Sequence, residues 1–231
     1  MTAKWPALAA LLSASFAAPL GAQLNSMPVH YSPKGGTGFT VYGDFGKGLN
    51  EESGENTAFA ARAVLGVSAI TLGVGVGTVN ASIPGLSEDQ NNFQWMAMAA
   101  FRILGGGPIP AAINIQAGYS RLASDSTAEV RVPVGVGLSV SAPVPGVTLE
   151  VWGAPRVSYR RVTVGATSET QTGFGISGGI NFGFSIGLGG YVALDWQSLS
   201  DVTDGDFPLI GGNPALLGVG VSWNIKLPGG L

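Results

Sequence analysis

Cysteine is absent from the sequence, histidine occurs once, and charged residues are few. The lack of cysteine excludes disulfide bonds, thiolate metal sites and a lipid-modified N-terminal cysteine. Charged residues make up 11% of the chain, whereas about 25% is usual for a soluble domain. The net charge of −3 is too small to indicate a nucleic-acid partner. An ordinary soluble surface is therefore not expected.

Long hydrophobic runs are also missing, although hydrophobic residues make up 45% of the chain. No stretch reaches the about 18 consecutive apolar residues that indicate a transmembrane helix. In lipid, backbone N–H and C=O groups find no water, so the other structure that satisfies all of them is a closed β-barrel. The composition therefore favours a membrane barrel over helical membrane spans.

Glycine is abundant, at 37 of 231 residues, and its placement is periodic. In residues 172–186, TGFGISGGINFGFSI, large apolar side chains hold even positions, whereas glycine, serine and asparagine hold odd ones. Such alternation is typical of a β-strand with two unlike faces, here one facing lipid and one facing the barrel interior. The alternating segments are 38–46, 57–67, 69–79, 93–104, 111–122, 130–142, 147–161, 172–186, 190–199 and 215–227.

The connections between these segments alternate in length and polarity. GKGLNEESGENT, NASIPGLSEDQNN, ASDSTAE, TVGATSET and SDVTDGDFPLIGGN are polar and mostly long, whereas VS, GGGPIP, APVPG and GLGG are short and nearly uncharged. Longer outer loops and short periplasmic turns are characteristic of outer-membrane barrels. We therefore predict an all-β fold, a closed antiparallel up-and-down transmembrane β-barrel of ten strands, with both chain ends periplasmic.

Two alternatives to this fold remain open, a barrel of eight strands and a soluble two-sheet sandwich, whereas a WD40 propeller is rejected. A barrel of eight strands would place the first or the last hairpin outside the wall. A soluble two-sheet sandwich also shows alternation, but its outer face would carry more charge than this chain has. A WD40 propeller repeats every 40–45 residues or so, yet each blade needs four short strands, whereas each repeat here holds two long ones.

The N-terminus has the features of a secretory signal. Lys4 precedes an apolar stretch over residues 7–18, and small residues continue to Ala22, after which cleavage is expected. A retained membrane helix is disfavoured because the stretch is short and is flanked by Pro6 and Pro19. The predicted parts of the chain are a signal peptide (1–22), a periplasmic N-terminal segment (23–37), the barrel (38–227) and a C-terminal tail (228–231).

The last predicted strand, LLGVGVSWNIKL, carries Gly220, Trp223 and Ile225 at a glycine, aromatic and hydrophobic spacing. With this strand, residues 38–227 resemble the small bacterial outer-membrane β-barrel proteins, without matching one subfamily. The resemblance implies residence in the bacterial outer membrane, contact with its lipid and lipopolysaccharide, and recognition of the last strand by the barrel-assembly machinery. The chain departs from the pattern because it lacks a terminal aromatic residue and ends in PGGL.

Aromatic and charged residues are also distributed by face. Outward-facing aromatic residues are expected in two girdles, with Phe45, Phe59, Phe93, Trp95, Tyr119, Tyr159 and Phe174 on the loop side and Phe39, Phe184 and Trp223 on the turn side. Most acidic residues fall in or beside the predicted outer loops. The alternation directs the following charged residues into the lumen: Asp44, Arg62, Arg102, Arg131, Glu150, Arg156, Arg160, Asp195 and Lys226.

These predicted lumen charges, six basic and three acidic, allow two functions. A narrow passage with a basic lining would favour small anionic solutes, and the interior glycines would leave room for water. A closed barrel would instead hold the charges in ion pairs. A third possibility is a structural or adhesive barrel that acts through its acidic loops, where DVTDGD lacks a complete calcium-loop spacing.

An outer-membrane hydrolase is the remote alternative. Its general acid or base would be expected at the outer rim, but His30, the single histidine, precedes the first strand. We therefore expect no enzymatic activity, no cofactor and no metal site.

Overall fold

The structure is a computed structural model that describes residues 24–28, 32–54, 56–81, 90–106, 109–123, 127–200 and 212–225. It contains ten β-strands and one short 3-10 helix, η1 (Glu51–Ser53). Among the described residues, no helix is long and apolar enough to cross a membrane. The strands are β1 (Gly38–Gly48), β2 (Thr57–Val67), β3 (Ile70–Ala81), β4 (Gln90–Gly106), β5 (Ile109–Ala123), β6 (Thr127–Val144), β7 (Val147–Val164), β8 (Thr167–Phe184), β9 (Leu188–Leu199) and β10 (Ala215–Ile225).

The ten strands form one closed barrel in which each strand pairs antiparallel with its neighbours in sequence. Closure comes from the pairing of β1 with β10, which extends from Phe39 opposite Ile225 to Gly48 opposite Leu216. Both terminal hairpins are therefore part of the wall. The predicted ten-stranded up-and-down barrel is confirmed, and the eight-stranded alternative is wrong.

The connections lie at two ends of the barrel. The loop end holds the connections 49–56, 82–89, 124–126, 165–166 and 200–214, whereas the turn end holds 68–69, 107–108, 145–146 and 185–187. One connection differs from the prediction. Most of the predicted loop TVGATSET belongs to β7 and β8, and a two-residue turn joins these strands. Gly165 has a φ of 58° in this turn, and the flanking Thr and Val residues suit extended backbone.

The wall is taller on one side than on the other. Strands β4 to β8 contain 15 to 18 residues, whereas the other strands contain 11 or 12. A β-strand rises about 3.3 Å per residue, so the taller side extends well beyond the rest. The β5–β6 and β7–β8 hairpins join these longer strands at the loop end.

Side chains alternate between the two faces of the wall as predicted. Outward residues are large and apolar, as shown by Val74 at 59% and Ile180 at 50% exposure. Aromatic residues project outward near both ends, with Phe59 and Trp95 toward the loop end and Trp223 toward the turn end. Trp196 is a further outward aromatic residue that the sequence analysis did not include.

The N-terminal segment is in a different place from the one predicted. Residues 23–37 were expected outside the barrel, on the periplasmic side, but the described residues 24–28 and 32–37 lie against the inner face of the wall. Leu24 and Met27 are only 2% and 4% exposed. The reason is a set of long-range contacts, since Asn25 bonds to β4 and β6 and Ser32 bonds to β7.

Closure can be tested with an engineered disulfide, since the chain has no cysteine of its own. Gly43 lies opposite Val221 across the β1–β10 ladder, and a Cβ at Gly43 would lie 3.7 Å from Cγ2 of Val221. We expect Gly43→Cys combined with Val221→Cys to form an intramolecular disulfide, because Cβ atoms of directly opposite residues lie about 4.5–5.5 Å apart, close to the range of about 3.5–4.5 Å for a disulfide. The cross-link is detected by mass and by mobility of the denatured, non-reduced protein.

The matched control is Gly43→Cys combined with Val192→Cys. Val192 lies on β9, one strand beyond β10, and about 10 Å or more from β1 by strand spacing. No intramolecular cross-link is expected for this pair. Failure of the first pair to cross-link in the folded protein would contradict a wall closed by β1 and β10.

Candidate functional site

The barrel lumen contains the candidate site because it collects nearly all the buried charge. Its first component is the N-terminal segment, which is bonded to the wall at both ends. At the loop end, Asn25 donates its backbone N–H to Oε1 of Gln94 (2.7 Å) and its side-chain amide to Oε2 of Glu129 (3.0 Å). At the turn end, Ser32 Oγ donates to the Glu150 carboxylate (2.7 and 2.9 Å).

The lumen-facing glycines provide the space that this segment occupies. A Cβ at Gly137 would lie 2.9 Å from Cγ of Pro33, and one at Gly218 would lie 2.5 Å from Cδ of Pro28. A Cβ at Gly66 would overlap the carbonyl oxygen of Gly36. The bare inner face was interpreted from sequence as room for water, but here residues 24–28 and 32–36 take up part of that room.

The loop-end part of the segment is also held by apolar contacts. Leu24 and Met27 belong to a buried cluster with inward side chains of the wall, namely Ala58, Val79, Met96, Met98 and Leu122. Burying a side chain of this size contributes about 1.5–3 kcal/mol relative to exposure. The segment therefore contributes an apolar cluster to the loop-end half of the lumen.

Asp44 and Arg62 form the first of three charged clusters, on β1 and β2. The Arg62 guanidinium donates to both carboxylate oxygens of Asp44, at 2.5 and 2.8 Å. Tyr191 on β9 donates its hydroxyl to Asp44 at 2.8 Å. The guanidinium also lies 4.7 Å from the ring centre of Tyr42, a cation–π geometry. Both charges are thus satisfied across the interior.

Arg156 and Asp195 form the second cluster, between β7 and β9. Arg156 Nη2 lies 2.7 Å from Oδ1 of Asp195, and its Nη1 donates to Ser177 Oγ at 2.8 Å. Ser177 in turn donates to Oδ2 of Asp195, and Gln197 donates to Oδ1 at 3.1 Å. Arg156 is 3% exposed and Asp195 is 2% exposed. Arg156 and Asp195, two of the charges predicted to face the lumen, are therefore paired and buried.

Glu129 is the centre of the third cluster, and the sequence analysis did not include it among the lumen residues. Its carboxylate pairs with Arg131 and accepts two bonds from Arg160, at 2.6 and 3.1 Å. Glu129 was assigned to the edge of a polar outer loop, but β6 begins at Thr127. The signal was present in the sequence, because Glu129 has the same parity as Arg131 and therefore the same inward face.

The remaining predicted lumen residues lie toward the turn end. Glu150 accepts from Ser32 and from Nδ2 of Asn181 (2.8 Å). Arg102 donates to the backbone oxygens of Lys34 (2.6 Å) and Ser68 (2.8 Å). It keeps the even, inward parity of Met98 and Ala100, and the register shift in β4 begins only after it.

Lys226 lies outside the described residues. Of the predicted insertion-signal residues, Gly220 faces inward, whereas Trp223 and Ile225 face outward near the turn end. Their role as an insertion signal stays a prediction.

The lumen is close to electrically balanced in the part of the chain that the structure describes. Five inward arginines (Arg62, Arg102, Arg131, Arg156 and Arg160) face four inward acids that accept hydrogen bonds (Asp44, Glu129, Glu150 and Asp195). The strong basic excess expected from sequence is therefore reduced. Within the same described residues, no group of three or more His, Cys, Asp or Glu side chains is placed to hold a metal ion.

Comparison with known proteins gives a likeness of fold alone. No protein-family model and no curated protein sequence matches the chain. The β domain of the Bordetella autotransporter BrkA is a similar solved structure, with a TM-score of 0.47, 10% identity, and coverage of 82% of this chain and 100% of that one. The outer-membrane protease OmpT from Escherichia coli has a TM-score of 0.43 and 11% identity, and the match covers 82% of this chain and 94% of that one. Neisserial surface protein A has a TM-score of 0.39 and 14% identity, and the match covers 82% of this chain and 98% of that one.

The pairing in the second cluster predicts a non-additive effect on stability. Asp195→Ala should lower the free energy of unfolding by about 3–5 kcal/mol, because it leaves Arg156 buried without its carboxylate. Arg156→Ala combined with Asp195→Ala should cost less than the sum of the two single changes. The measurement is urea unfolding of the protein in lipid vesicles, followed by tryptophan fluorescence.

Glu52→Gln is the control for this cycle, because Glu52 is exposed on η1. Surface changes of this kind stay within about 0.5 kcal/mol. Strictly additive effects of the two cluster substitutions would show that Arg156 and Asp195 are not coupled.

Proposed function

We propose that this chain is an integral protein of the bacterial outer membrane whose barrel is closed by its own N-terminal segment and does not conduct solutes in this state. The proposal gives the chain no catalytic role and no cofactor. The observation that carries it is the placement of residues 24–28 and 32–37 inside the lumen, bonded to the wall at Gln94, Glu129 and Glu150.

Membrane residence is supported by the outer face of the wall. Large apolar side chains are exposed around the barrel, as at Leu72, Val136 and Val192. An exposed apolar surface of this extent is unfavourable in water and favourable against lipid. Outward aromatic residues near the two ends suit the two interfaces. The loop end would then face outward from the cell, as in other barrels of this kind.

The closed state is favoured over a basic passage by two features of the lumen. Seven inward charged residues of the described strands form ion pairs, most deeply Arg62 with Asp44 and Arg156 with Asp195. The apolar cluster around Leu24 and Met27 lies at the loop end of the same space. A hydrated anion would have to displace the segment and separate these pairs before it could cross.

The position of Leu24 also bears on processing of the chain. The predicted signal peptide ends at Ala22, so cleavage there leaves one residue before Leu24. Because Leu24 lies in the loop-end half of the lumen, the proposal places the mature N-terminus inside the barrel rather than in the periplasm. The C-terminal residues 226–231 lie outside the described part of the chain, and we keep the periplasmic side as their proposed location.

A closed barrel would act through its surface, which is the second candidate function. Glu51 and Glu52 are exposed in the connection between β1 and β2. Most other acidic residues of the predicted loops lie outside the described residues. An acidic loop end would suit a structural or adhesive role, or the binding of divalent cations beside lipopolysaccharide.

Planar-bilayer recording tests whether the segment closes the lumen. The intact mature protein should show no conductance steps, whereas deletion of residues 24–36 should produce small steps because the lumen loses its plug. Among the inward residues, five arginines outnumber the four acids that accept hydrogen bonds, so we expect the deletion variant to prefer anions weakly. Arg156→Glu should reduce this preference. High salt should weaken this preference as the Debye length shortens.

Insertion of each variant is checked by its heat-dependent mobility on detergent gels. Leu24→Glu combined with Met27→Glu is a second variant that keeps the chain length and should also conduct, because it places two charges in the apolar cluster. Equal conductance of the intact protein and both variants would contradict closure by the segment.

N-terminal sequencing of the protein from outer-membrane preparations tests the processing step. We expect the mature chain to begin at Gln23. A chain that begins at Met1 would contradict the proposed signal, because the predicted leader would then precede Leu24 inside the lumen.

A further inference from the structure

Charged side chains on the outer face of the wall share one sign and lie near strand ends at the loop end. In the described strands, the outward-facing charged residues are Lys47, Arg121 and Arg161, and all three are exposed. Lys47 is one residue from the end of β1, Arg121 is two from the end of β5, and Arg161 is three from the end of β7. All three strands end at the loop end. Outward charge is therefore basic and confined to that rim.

Arg121 and Arg161 are close neighbours on this face, whereas Lys47 is far around the barrel. Val130 on β6 lies between the two arginines. It pairs with Arg121 of β5 in one ladder and with Arg161 of β7 in the other. Their Cα atoms are therefore about 10 Å apart, two strand spacings. Within the described residues neither guanidinium is in a salt bridge, and Glu129 of the same region points inward.

Aromatic side chains lie immediately below this pair. Tyr119 precedes Arg121 by two residues and Tyr159 precedes Arg161 by two, so each tyrosine lies on the same outward face. Trp95 is the register partner of Arg121, and its ring centre lies 5.2 Å from that of Tyr119. Tyrosine and tryptophan occupy the headgroup level of a membrane interface. The two arginines lie about 6.6 Å farther along their strands. For strands tilted by about 35–45°, this is about 5 Å farther from the membrane centre, at the level of lipid phosphates.

We propose that Arg121 and Arg161 bind the phosphate of an anionic membrane lipid whose acyl chains lie on the apolar wall below. This inference rests on the proposed membrane residence of the barrel. Each guanidinium presents a planar fork of N–H donors that matches phosphate oxygens. Two forks about 10 Å apart, both on flexible side chains, can reach one phosphate from either side of Val130.

A lipid fits this site better than a soluble anion. The arginines stand on the outer wall beside exposed apolar and aromatic groups, with Tyr159 at 40% and Trp95 at 39% exposure. In a membrane these groups contact acyl chains, so a ligand with both phosphate and hydrocarbon satisfies the whole surface. A free phosphate would use only the two guanidinium groups.

Trp95 provides a local reporter of lipid at the site. Replacing Trp196 and Trp223 by phenylalanine removes the other outward tryptophans among the described residues, and Trp152, 4% exposed, remains as an internal reference away from lipid. The protein is reconstituted in phosphatidylcholine vesicles that contain, at equal mole fraction, either brominated phosphatidate or brominated phosphatidylcholine. Brominated chains quench a tryptophan that they touch, so the ratio of quenching reports lipid selectivity at Trp95.

We expect phosphatidate to quench Trp95 more strongly than phosphatidylcholine. Arg121→Gln combined with Arg161→Gln should reduce the relative affinity for phosphatidate by about five-fold or more, since each basic residue near an anionic surface contributes about five-fold. Lys47→Gln is the matched control, because it removes an outward cation of the same rim far from Trp95, and it should change the ratio by less than about two-fold. If the double variant fails to insert, the two single variants carry the same comparison.

Three results would overturn the inference. Equal quenching by the two lipids in the unsubstituted protein would show no phosphate selectivity. An equal loss in Lys47→Gln would show a general effect of surface charge, not a site at the arginine pair. Relief of the phosphatidate-specific quenching by inorganic phosphate would indicate a soluble-anion site. Absence of quenching by either lipid in a folded protein would instead count against membrane residence itself.

Discussion

Closure of the sheet through the β1–β10 ladder is the constraint on which the rest of the structure depends. A closed ladder pairs the backbone of every strand with two neighbours, so the wall needs no water or partner along its edges. Closure also separates two environments with opposite demands. Outward residues such as Val74 and Ile180 are apolar, whereas the interior must be filled by whatever the chain can direct into it.

Filling the interior explains why the inner face is so rich in glycine. Inward side chains alone could have packed a small barrel, but Gly66, Gly137 and Gly218 leave the inner surface bare where the N-terminal segment passes. The wall and the segment are therefore complementary. Larger residues at these glycines would overlap the segment, and without the segment the same glycines would leave space in the lumen.

The strands could be predicted from sequence because their signal is local, whereas the filling of the lumen could not. Alternation over β8 is visible within that strand alone. The N-terminal segment shows no such period, and the position of its described residues depends on partners far along the chain, such as Gln94 for Asn25 and Glu150 for Ser32. Glu129 was only partly predictable. Its odd position, shared with Arg131, indicated that it faces inward, but the polar sequence around it indicated a loop.

The distribution of charged residues is then determined by the two faces that closure creates. Inward arginines such as Arg62 and Arg156 are paired with carboxylates, because an isolated charge in a filled interior is costly. Outward arginines lie at the rim, where water and lipid phosphates can solvate them. A register slip of one residue would exchange the two faces and place Arg156 against the hydrocarbon of the membrane. The distribution of charge therefore stabilises one register of the barrel as well as one depth in the membrane.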